Sequence, residues 1–244
     1  MRRFDPGSYH HSVRELQKRA GKSAVPESYL NDTGVRSVMR VVAKVVVFAP
    51  AVGTPVMLPV PTGSALAPTA FFHLFADQSD LPGSALVLPE WMPQPYRGLL
   101  YHHEHMTVKV EEFYGESVDV RVLDNSRDGE SYSRKILLEL QSDNRVVQFG
   151  IVRIDLSYCS PVVRRTILEE STPLGRILID NNVLRRIEHT GFFRVSPSPQ
   201  LMRWFGLKGP TATWGRMGVI FCDDKPAIEV LEILAPIPET RSGG

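Results

Sequence analysis

The stretch YSRKILLELQSDNRVVQFGIVRIDL, residues 132–156, decides the fold class because it reads as two strands joined by a short turn. Apolar side chains alternate with polar ones over residues 132–140, which is the period of a β-strand, and residues 146–156 are a second apolar run. The Ser-Asp-Asn sequence between the two runs is typical of a turn. Upstream, residues 118–123 alternate valine with charge and predict a third strand. Three strands with short connections indicate an antiparallel meander.

Helical patterns lie on both sides of this meander. In residues 95–115, five side chains recur at helical spacing before Gly115, which predicts one amphipathic helix. These side chains are Leu99, His103, Met106, Val110 and Phe113. After the meander, Ser160 and Pro161 form a helix start, and two more short helices are predicted over residues 172–181 and 183–191.

The chain ends in a second predicted hairpin, residues 216–222 and 227–236, joined by a DDKP turn. Strands, then paired helices, then strands is the order of an α+β fold with an antiparallel β-sheet. We assign this domain to residues 71–240. Residues 1–70 are predicted to be an N-terminal extension, with a short peripheral helix capped by Ser12 and a Pro-rich segment.

The composition excludes some classes of function. Twenty-eight basic and 27 acidic side chains leave a net charge of +1, which gives no electrostatic basis for binding nucleic acid or a membrane surface. Prolines interrupt the apolar run of residues 38–72, so we expect no membrane-spanning helix. The two cysteines, Cys159 and Cys222, have no metal-binding spacing and indicate a reducing, cytoplasmic compartment. We expect a monomer or a small homo-oligomer.

Two charged residues lie on apolar strand faces. Arg134 shares its face with Ile136 and Leu138, and Glu232 shares its face with Val230 and Leu234. A buried guanidinium needs an anion, because an unpaired buried charge is very costly. The pattern therefore suggests an interior polar site. Two alternatives are that Arg134 pairs with Glu232, or that Arg134 lies near the sheet edge and reaches solvent.

The crowd of histidines in YHHEH, residues 101–105, resembles a metal site at first sight. His103 shares the apolar helix face with Met106, which favours a core or pocket-wall histidine. His102 and His105 lie on another face without a third ligand at a recognised spacing, so we interpret them as a solvated surface and predict no metal site. Cys159 has no visible catalytic partners and is interpreted as a small buried residue.

Four motifs resemble the chorismate pyruvate-lyase family, in the family's order, between about residues 90 and 236. They are HMTVKVEEFYGESVDVRVL, SRKILLEL, ESTPLGRILIDNNVLRR and LEILAP. The resemblance implies a small antiparallel sheet with helix-turn-helix flaps that enclose an aromatic ligand. It also implies a cofactor-free lyase that converts chorismate to 4-hydroxybenzoate and pyruvate, which supplies 4-hydroxybenzoate for ubiquinone synthesis.

The resemblance carries over site residues position by position. Arg134 would hold the ring carboxylate, and Glu232 would contact the 4-hydroxyl end and assist proton transfer. The full set of implied binding residues is Met106, Arg134, Gly150, Leu174 and Glu232. The spacing from Pro226 to Glu232 is one residue longer than in the family, so Glu229 is an alternative for the glutamate role.

Two other functions are alternatives to the lyase. The first is a non-catalytic binding module for an aromatic carboxylate on the same fold, comparable to the effector domains of some transcription regulators. Residues 1–90 show no DNA-reading helix-turn-helix, which counts against a regulator. The second is a structural or partner protein that uses the extension. In every reading we predict no cofactor.

Overall fold

The computed structural model describes residues 45–47, 56–58, 68–75 and 81–237, all within one unit spanning residues 45–244. The helix predicted from Ser12 and most of the Pro-rich segment lie outside the described residues. The boundary near residue 70 therefore stays a prediction. Strands β1 (Val45–Val47) and β2 (Val56–Leu58) pair antiparallel as a separate two-stranded sheet.

The main sheet has seven antiparallel strands in the order β3-β7-β8-β9-β6-β5-β4. Its strands are β3 (Gly83–Val87), β4 (Val118–Asp128), β5 (Ser131–Leu140), β6 (Val146–Asp155), β7 (Arg185–Ser196), β8 (Thr213–Cys222) and β9 (Lys225–Leu234). The three strands of the predicted meander and the final hairpin are all present. The predicted fold class, an antiparallel α+β fold, is confirmed.

Six short α-helices accompany the sheet in the described part of the chain. They are α1 (Pro68–Phe72), α2 (Tyr96–Leu100), α3 (Met106–Tyr114), α4 (Pro161–Leu168), α5 (Leu174–Asp180) and α6 (Pro199–Trp204). The start of α4 is as predicted, with Pro161 in its first turn and the Ser160 hydroxyl accepting the backbone N–H of Val163. No described helix is long and apolar enough to cross a membrane.

Helices cover both faces of the sheet, so the central strands are buried on both sides. On one face, Ile136 and Leu138 of β5 pack with α2 and α3, while Tyr132 packs with α4 and α5. On the other face, Leu137 and Phe149 pack with α1 and α6. Because this second face is also apolar, Leu137 interrupts the alternation of apolar and polar residues in β5.

One predicted helix is wrong. Residues 183–191 were expected to be helical, but Arg185–Ser196 is strand β7, which pairs with β3 on one side and β8 on the other. Buried Phe192 and Phe193 anchor it in the core. Cross-strand pairing and burial outweigh the local helical pattern here.

The single helix predicted over residues 95–115 is also wrong in part. The chain is helical to Leu100, bends over residues 101–104, and becomes helical again at Met106. The break turns the two halves differently, so Phe113, predicted to face the core, is exposed. His103 is exposed as well, so its prediction as a core or pocket-wall histidine is wrong. Gly115 does end α3, with a φ of 73°.

Candidate ligand-binding cavity

A cavity of about 50 Å³ lies between the central strands and the helices that cover one sheet face. Its floor is formed by side chains of β5, β6 and β9, together with Val120 and Ile220 from neighbouring strands. Its roof is formed by the start of α3 and the start of α5. The roof residues are His105, Met106, Thr107, Pro173, Leu174 and Gly175.

Strand register places the floor residues in rows across the sheet. Arg134 lies opposite Val152, which lies opposite Val230. In the next row on this face, Ile136 lies opposite Gly150, and Gly150 lies opposite Glu232. A third row contains Leu138, Gln148 and Leu234. Gly150 is therefore at the centre of the floor, where a glycine leaves space above the sheet.

All five residues carried over from the family resemblance line this one cavity: Met106, Arg134, Gly150, Leu174 and Glu232. They come from five different elements and span 127 positions of sequence, from residue 106 to residue 232 counted inclusively. The structure brings them together. Their roles toward a ligand stay predictions.

Arg134 is a buried cation, and two of its nitrogens have no hydrogen-bond partner within the described part of the chain. The residue is 1% exposed, and neither Nε nor Nη1 contacts an acceptor among the described residues. Burial lowers the pKa of the guanidinium below its usual range, while Tyr132 and Glu170 favour the charged form. Because arginine stays protonated in proteins, the cavity wall carries a positive charge in need of an anion.

Glu170 lies near Arg134 but is bound elsewhere. Its Oε1 accepts a hydrogen bond of 2.5 Å from the hydroxyl of Tyr132. Burial, followed by this hydrogen bond, raises the pKa of Tyr132, so the hydroxyl keeps its proton. Glu170 thus offsets the charge of Arg134 from a distance without satisfying its N–H groups.

Glu232 forms an ion pair with Arg216, not with Arg134. Arg216 Nε donates to Glu232 Oε2 at 2.6 Å, and Arg216 is itself 2% exposed. The alternative that Arg134 and Glu232 pair with each other is therefore wrong, and so is the alternative that Arg134 reaches solvent at the sheet edge. Sequence reasoning missed Arg216, which occupies the position opposite Glu232 on β8.

Arg216 also holds the bent segment between α2 and α3. Its Nη1 donates to the carbonyl of Leu100 at 3.1 Å and lies 3.3 Å from His189 Nε2. His103 contributes a second tie, because its Nδ1 lies 3.1 Å from the carbonyl of Ile187. These contacts fix the segment that leads into the cavity roof at His105.

Glu229 is excluded from the glutamate role in the cavity. It lies on the opposite face of β9 and pairs with Arg153 of β6.

Gln148 and His105 are cavity residues that sequence reasoning did not select. Gln148 is 2% exposed and its Oε1 has no hydrogen-bond partner among the described residues. Gln148 is a polar residue in the apolar run of β6, on the strand face that carries Val152. The argument that selected Arg134, a polar side chain on an apolar strand face, could therefore also have selected Gln148. His105 is 5% exposed, and its Nε2 is likewise without a partner in the described part of the chain.

The interpretation of His105 as a solvated surface residue is therefore wrong. Burial, followed by the charges of Arg185 and Arg216, lowers the pKa of His105 to about 4. It is neutral at physiological pH. Among the described residues, no group of three histidine, cysteine or acidic side chains is arranged to hold a metal ion.

The two halves of the roof approach each other closely because α5 has a glycine in its first turn. A Cβ on Gly175 would lie 2.9 Å from Cβ of His105 and 3.0 Å from Oγ1 of Thr107. Arg176, the next residue, pairs with Glu111 and ties α5 to α3. The two halves of the roof are thus held together by a tight contact and an ion pair. Arg164 of α4 and Arg186 of β7 also form ion pairs, with Glu130 and Glu188 respectively.

Comparisons with known proteins give no family assignment. No family model matches the chain, and no curated protein matches it. Among solved structures, PhnF from Mycobacterium smegmatis aligns at 14% identity and a TM-score of 0.42, covering 53% of this chain and 62% of PhnF. The chain thus spans less than two thirds of that structure.

Two further structures align at 12% identity. The effector domain of PhnF from Mycobacterium smegmatis has a TM-score of 0.40 and covers 54% of this chain and 88% of its own. A GntR-family transcriptional regulator from Bacillus cereus has a TM-score of 0.35 and covers 52% of this chain and 96% of its own. TM-scores below 0.5 at these identities define neither the family nor the function of this chain.

Proposed function

We propose that this protein binds a small organic acid in the cavity, with the carboxylate on Arg134. The observation that carries the proposal is the buried guanidinium of Arg134, whose Nε and Nη1 have no partner among the described residues. Leaving a buried charge without hydrogen bonds costs several kcal/mol or more in a folded protein. A ligand carboxylate supplies the missing acceptors, because its two oxygens match the fork of a guanidinium.

The rest of the cavity favours an apolar ligand body. The other charged residue in its lining, Glu232, is already neutralised by Arg216, so only Arg134 is available to an anion. Most of the remaining wall is aliphatic, including Ile136, Val152 and Leu174. This combination suits a carboxylate attached to a hydrocarbon ring or chain better than a fully polar anion.

A ring-sized ligand requires the roof to move. The cavity is about 50 Å³, whereas an apolar cavity that binds benzene is about 150 Å³. Because β5, β6 and β9 are central strands paired on both sides, the floor cannot yield easily. The short helices α3 and α5, which form the roof, therefore move apart from the sheet when a ring-sized ligand binds.

The test compares benzoate with benzamide, which has nearly the same shape but no charge. Calorimetric titration of the full chain should show benzoate binding about 10- to 150-fold more tightly, since a hydrogen bond to a charged group contributes about 1.5–3 kcal/mol. Arg134→Met should abolish the difference. Arg121→Met is the matched control, because Arg121 is an exposed arginine paired with Glu139. Equal binding of both probes, or of neither, would overturn the proposal.

Chorismate lyase activity is the second candidate function. The specific observation in its favour is that all five residues carried over from the family resemblance line one cavity. In this reading Arg134 orients the substrate carboxylate, and Glu232 assists proton transfer as the enolpyruvyl group leaves. The ion pair with Arg216 weighs against a free glutamate and is the reason why binding without turnover is the first proposal.

Incubation with chorismate distinguishes the two functions. Equal amounts of 4-hydroxybenzoate and pyruvate, lost in both Arg134→Met and Glu232→Gln, would support the lyase. Benzoate binding without product formation over hours would support the binding function alone.

A further inference from the structure

Gln148 is a second buried polar group of the cavity, and its amide oxygen is unpaired within the described ranges. Gln148 is 2% exposed, and its amide Oε1 is without a hydrogen-bond donor among the described residues. It lies between Leu138 and Leu234 in neighbouring strands, so nothing beside it in the floor supplies a donor. An unsatisfied buried acceptor costs about 1–3 kcal/mol, which makes such a group uncommon without a use.

Gln148 and Arg134 lie at opposite ends of the cavity floor. Gln148 is opposite Leu138, four residues along β5 from Arg134, and Gly150 lies between the two ends. With about 3.4 Å per strand residue and about 4.8 Å between strands, their Cα atoms are roughly 14 Å apart. Both side chains line the same cavity, so a ligand over Gly150 has one end at each of them.

We infer that Gln148 is a specificity-determining residue, which recognises a hydroxyl or amino group at the end of the ligand opposite its carboxylate. This inference rests on the proposed function, because Arg134 fixes the direction in which the acid lies. Oε1 of Gln148 needs a donor, and a hydroxyl or an amino group supplies one. The ligand class is thus an organic acid with a hydrogen-bond donor on the far side of its apolar body.

Glu232 does not serve this role as readily as Gln148. Oε2 of Glu232 already accepts from Arg216, and its carboxylate is the partner of a buried cation. Gln148 is neutral and has no competing bond at Oε1 within the described structure. A site that must hydrogen-bond a ligand group discriminates against ligands that lack it, because its own polar group then stays unpaired.

His105 supplies a third unpartnered polar atom, from the roof. Its Nε2 has no partner in the described part of the chain, and the ring is neutral at physiological pH. A neutral imidazole nitrogen donates or accepts according to its tautomer, so it tolerates either a hydroxyl or an amino group. His105 therefore complements a polar ligand without setting its direction.

The experiment uses four probes that share the benzoate scaffold: benzoate, 3-hydroxybenzoate, 4-hydroxybenzoate and 4-aminobenzoate. Calorimetric titrations compare the wild-type chain with Gln148→Met, which keeps the length of the side chain and removes its polar atoms. We expect the wild type to bind at least one derivative about tenfold more tightly than benzoate. In Gln148→Met this preference should fall to about twofold or less.

Gln141→Met is the matched control, because Gln141 is exposed and donates to Asp119 at the end of β5. It should leave every affinity unchanged. Circular dichroism confirms that each variant is folded. A preference that survives Gln148→Met, or a wild type that binds benzoate as tightly as all three derivatives, would overturn the inference while leaving the proposed function standing. Absence of binding by all four probes would overturn the proposed function and this inference with it.

Discussion

Arg216, which is buried, and Glu232, which is largely buried, form an ion pair across β8 and β9, with Nε and Oε2 2.6 Å apart. This pairing determines the electrostatics of the cavity. It neutralises the acidic group in the lining and leaves Arg134, two strands away from Glu232, as the cation whose Nε and Nη1 find no hydrogen-bond partner among the described residues. The proposed anion site exists because Glu232 pairs with Arg216 and not with Arg134, the other buried arginine.

Replacement of Arg134 by methionine should stabilise the ligand-free protein while removing acid binding. Replacing buried ion pairs by apolar side chains of similar volume is often neutral or stabilising by about 1–4 kcal/mol, and a buried charge without hydrogen bonds is costlier still, so its removal should be at least as favourable. For a domain of this size, each kcal/mol corresponds to about 2–4 °C in Tm. Calorimetric melting of wild type and Arg134→Met without ligand checks this. A fall in Tm of the variant would mean that Arg134 has a structural partner.

Loss of one member of the Arg216–Glu232 pair should be costly. Glu232→Leu leaves Arg216 buried and without its carboxylate, for which we expect a loss of about 3–5 kcal/mol in unfolding free energy. Urea unfolding of Glu232→Leu, Arg216→Met and the double variant completes a thermodynamic cycle. The double variant should recover part of the loss. If the losses simply add, the pair contributes nothing to stability.

Two glycines should respond differently to alanine. At Gly150 a Cβ would lie 3.3 Å from the flexible side chain of Ile136, so we expect Gly150→Ala to change unfolding free energy by about 1 kcal/mol or less. The added methyl group should nonetheless weaken benzoate binding, because it projects from the centre of the cavity floor.

At Gly215 a Cβ would lie 2.6 Å from the backbone oxygen of Glu232 and 2.7 Å from the ring of Phe193. Gly215→Ala should therefore cost about 3 kcal/mol. Urea unfolding of the two variants side by side measures the contrast. Equal losses would contradict the assigned strand positions.

Stability should decline as pH falls from about 6.5, the pKa of histidine in an unfolded chain. Burial and Arg216 lower the pKa of His102 to about 4 and that of His189 to about 3, and burial lowers that of His105 to about 4. Between pH 6.5 and about 4 the unfolded chain therefore binds protons that the folded chain does not. By linkage, the unfolding free energy decreases over this window and levels off below it.

Urea midpoints at pH 7.5, 6 and 5 measure this dependence above most of the carboxylate range. His189→Gln keeps an acceptor for Arg216 but removes one titrating group, so its slope should be shallower. Identical slopes for wild type and His189→Gln would show that His189 is not held neutral by the fold.

The sequence predicts those parts of the cavity where a charged residue breaks an apolar alternation. Arg134 and Glu232 stand out because aliphatic neighbours two residues away fix the face of the strand. Leu174, Met106 and Gly150 carry no such contrast, and only the family resemblance pointed to them. Gln148 also interrupts an apolar strand, but an uncharged amide indicates a buried polar site less strongly than a charged side chain does.

The parts that could not be predicted depend on contacts between distant segments. The helical spacing runs through residues 99–113, yet the chain bends at 101–104 because Arg216 and the carbonyl of Ile187 bind that segment. That bend carries His105 into the cavity roof. Likewise, residues 185–191 become a strand because β3 and β8 pair with β7 on both sides.

The most direct test of the central claim is a nitrogen–proton NMR spectrum of the arginine Nε–H groups during titration with benzoate. The Arg134 signal is identified by its absence in Arg134→Met. We predict that this signal shifts in proportion to the bound fraction, while the Arg121 signal on the surface stays in place. A benzoate titration that releases binding heat but leaves the Arg134 signal unmoved would contradict the account, because the acid would then lie somewhere other than on Arg134.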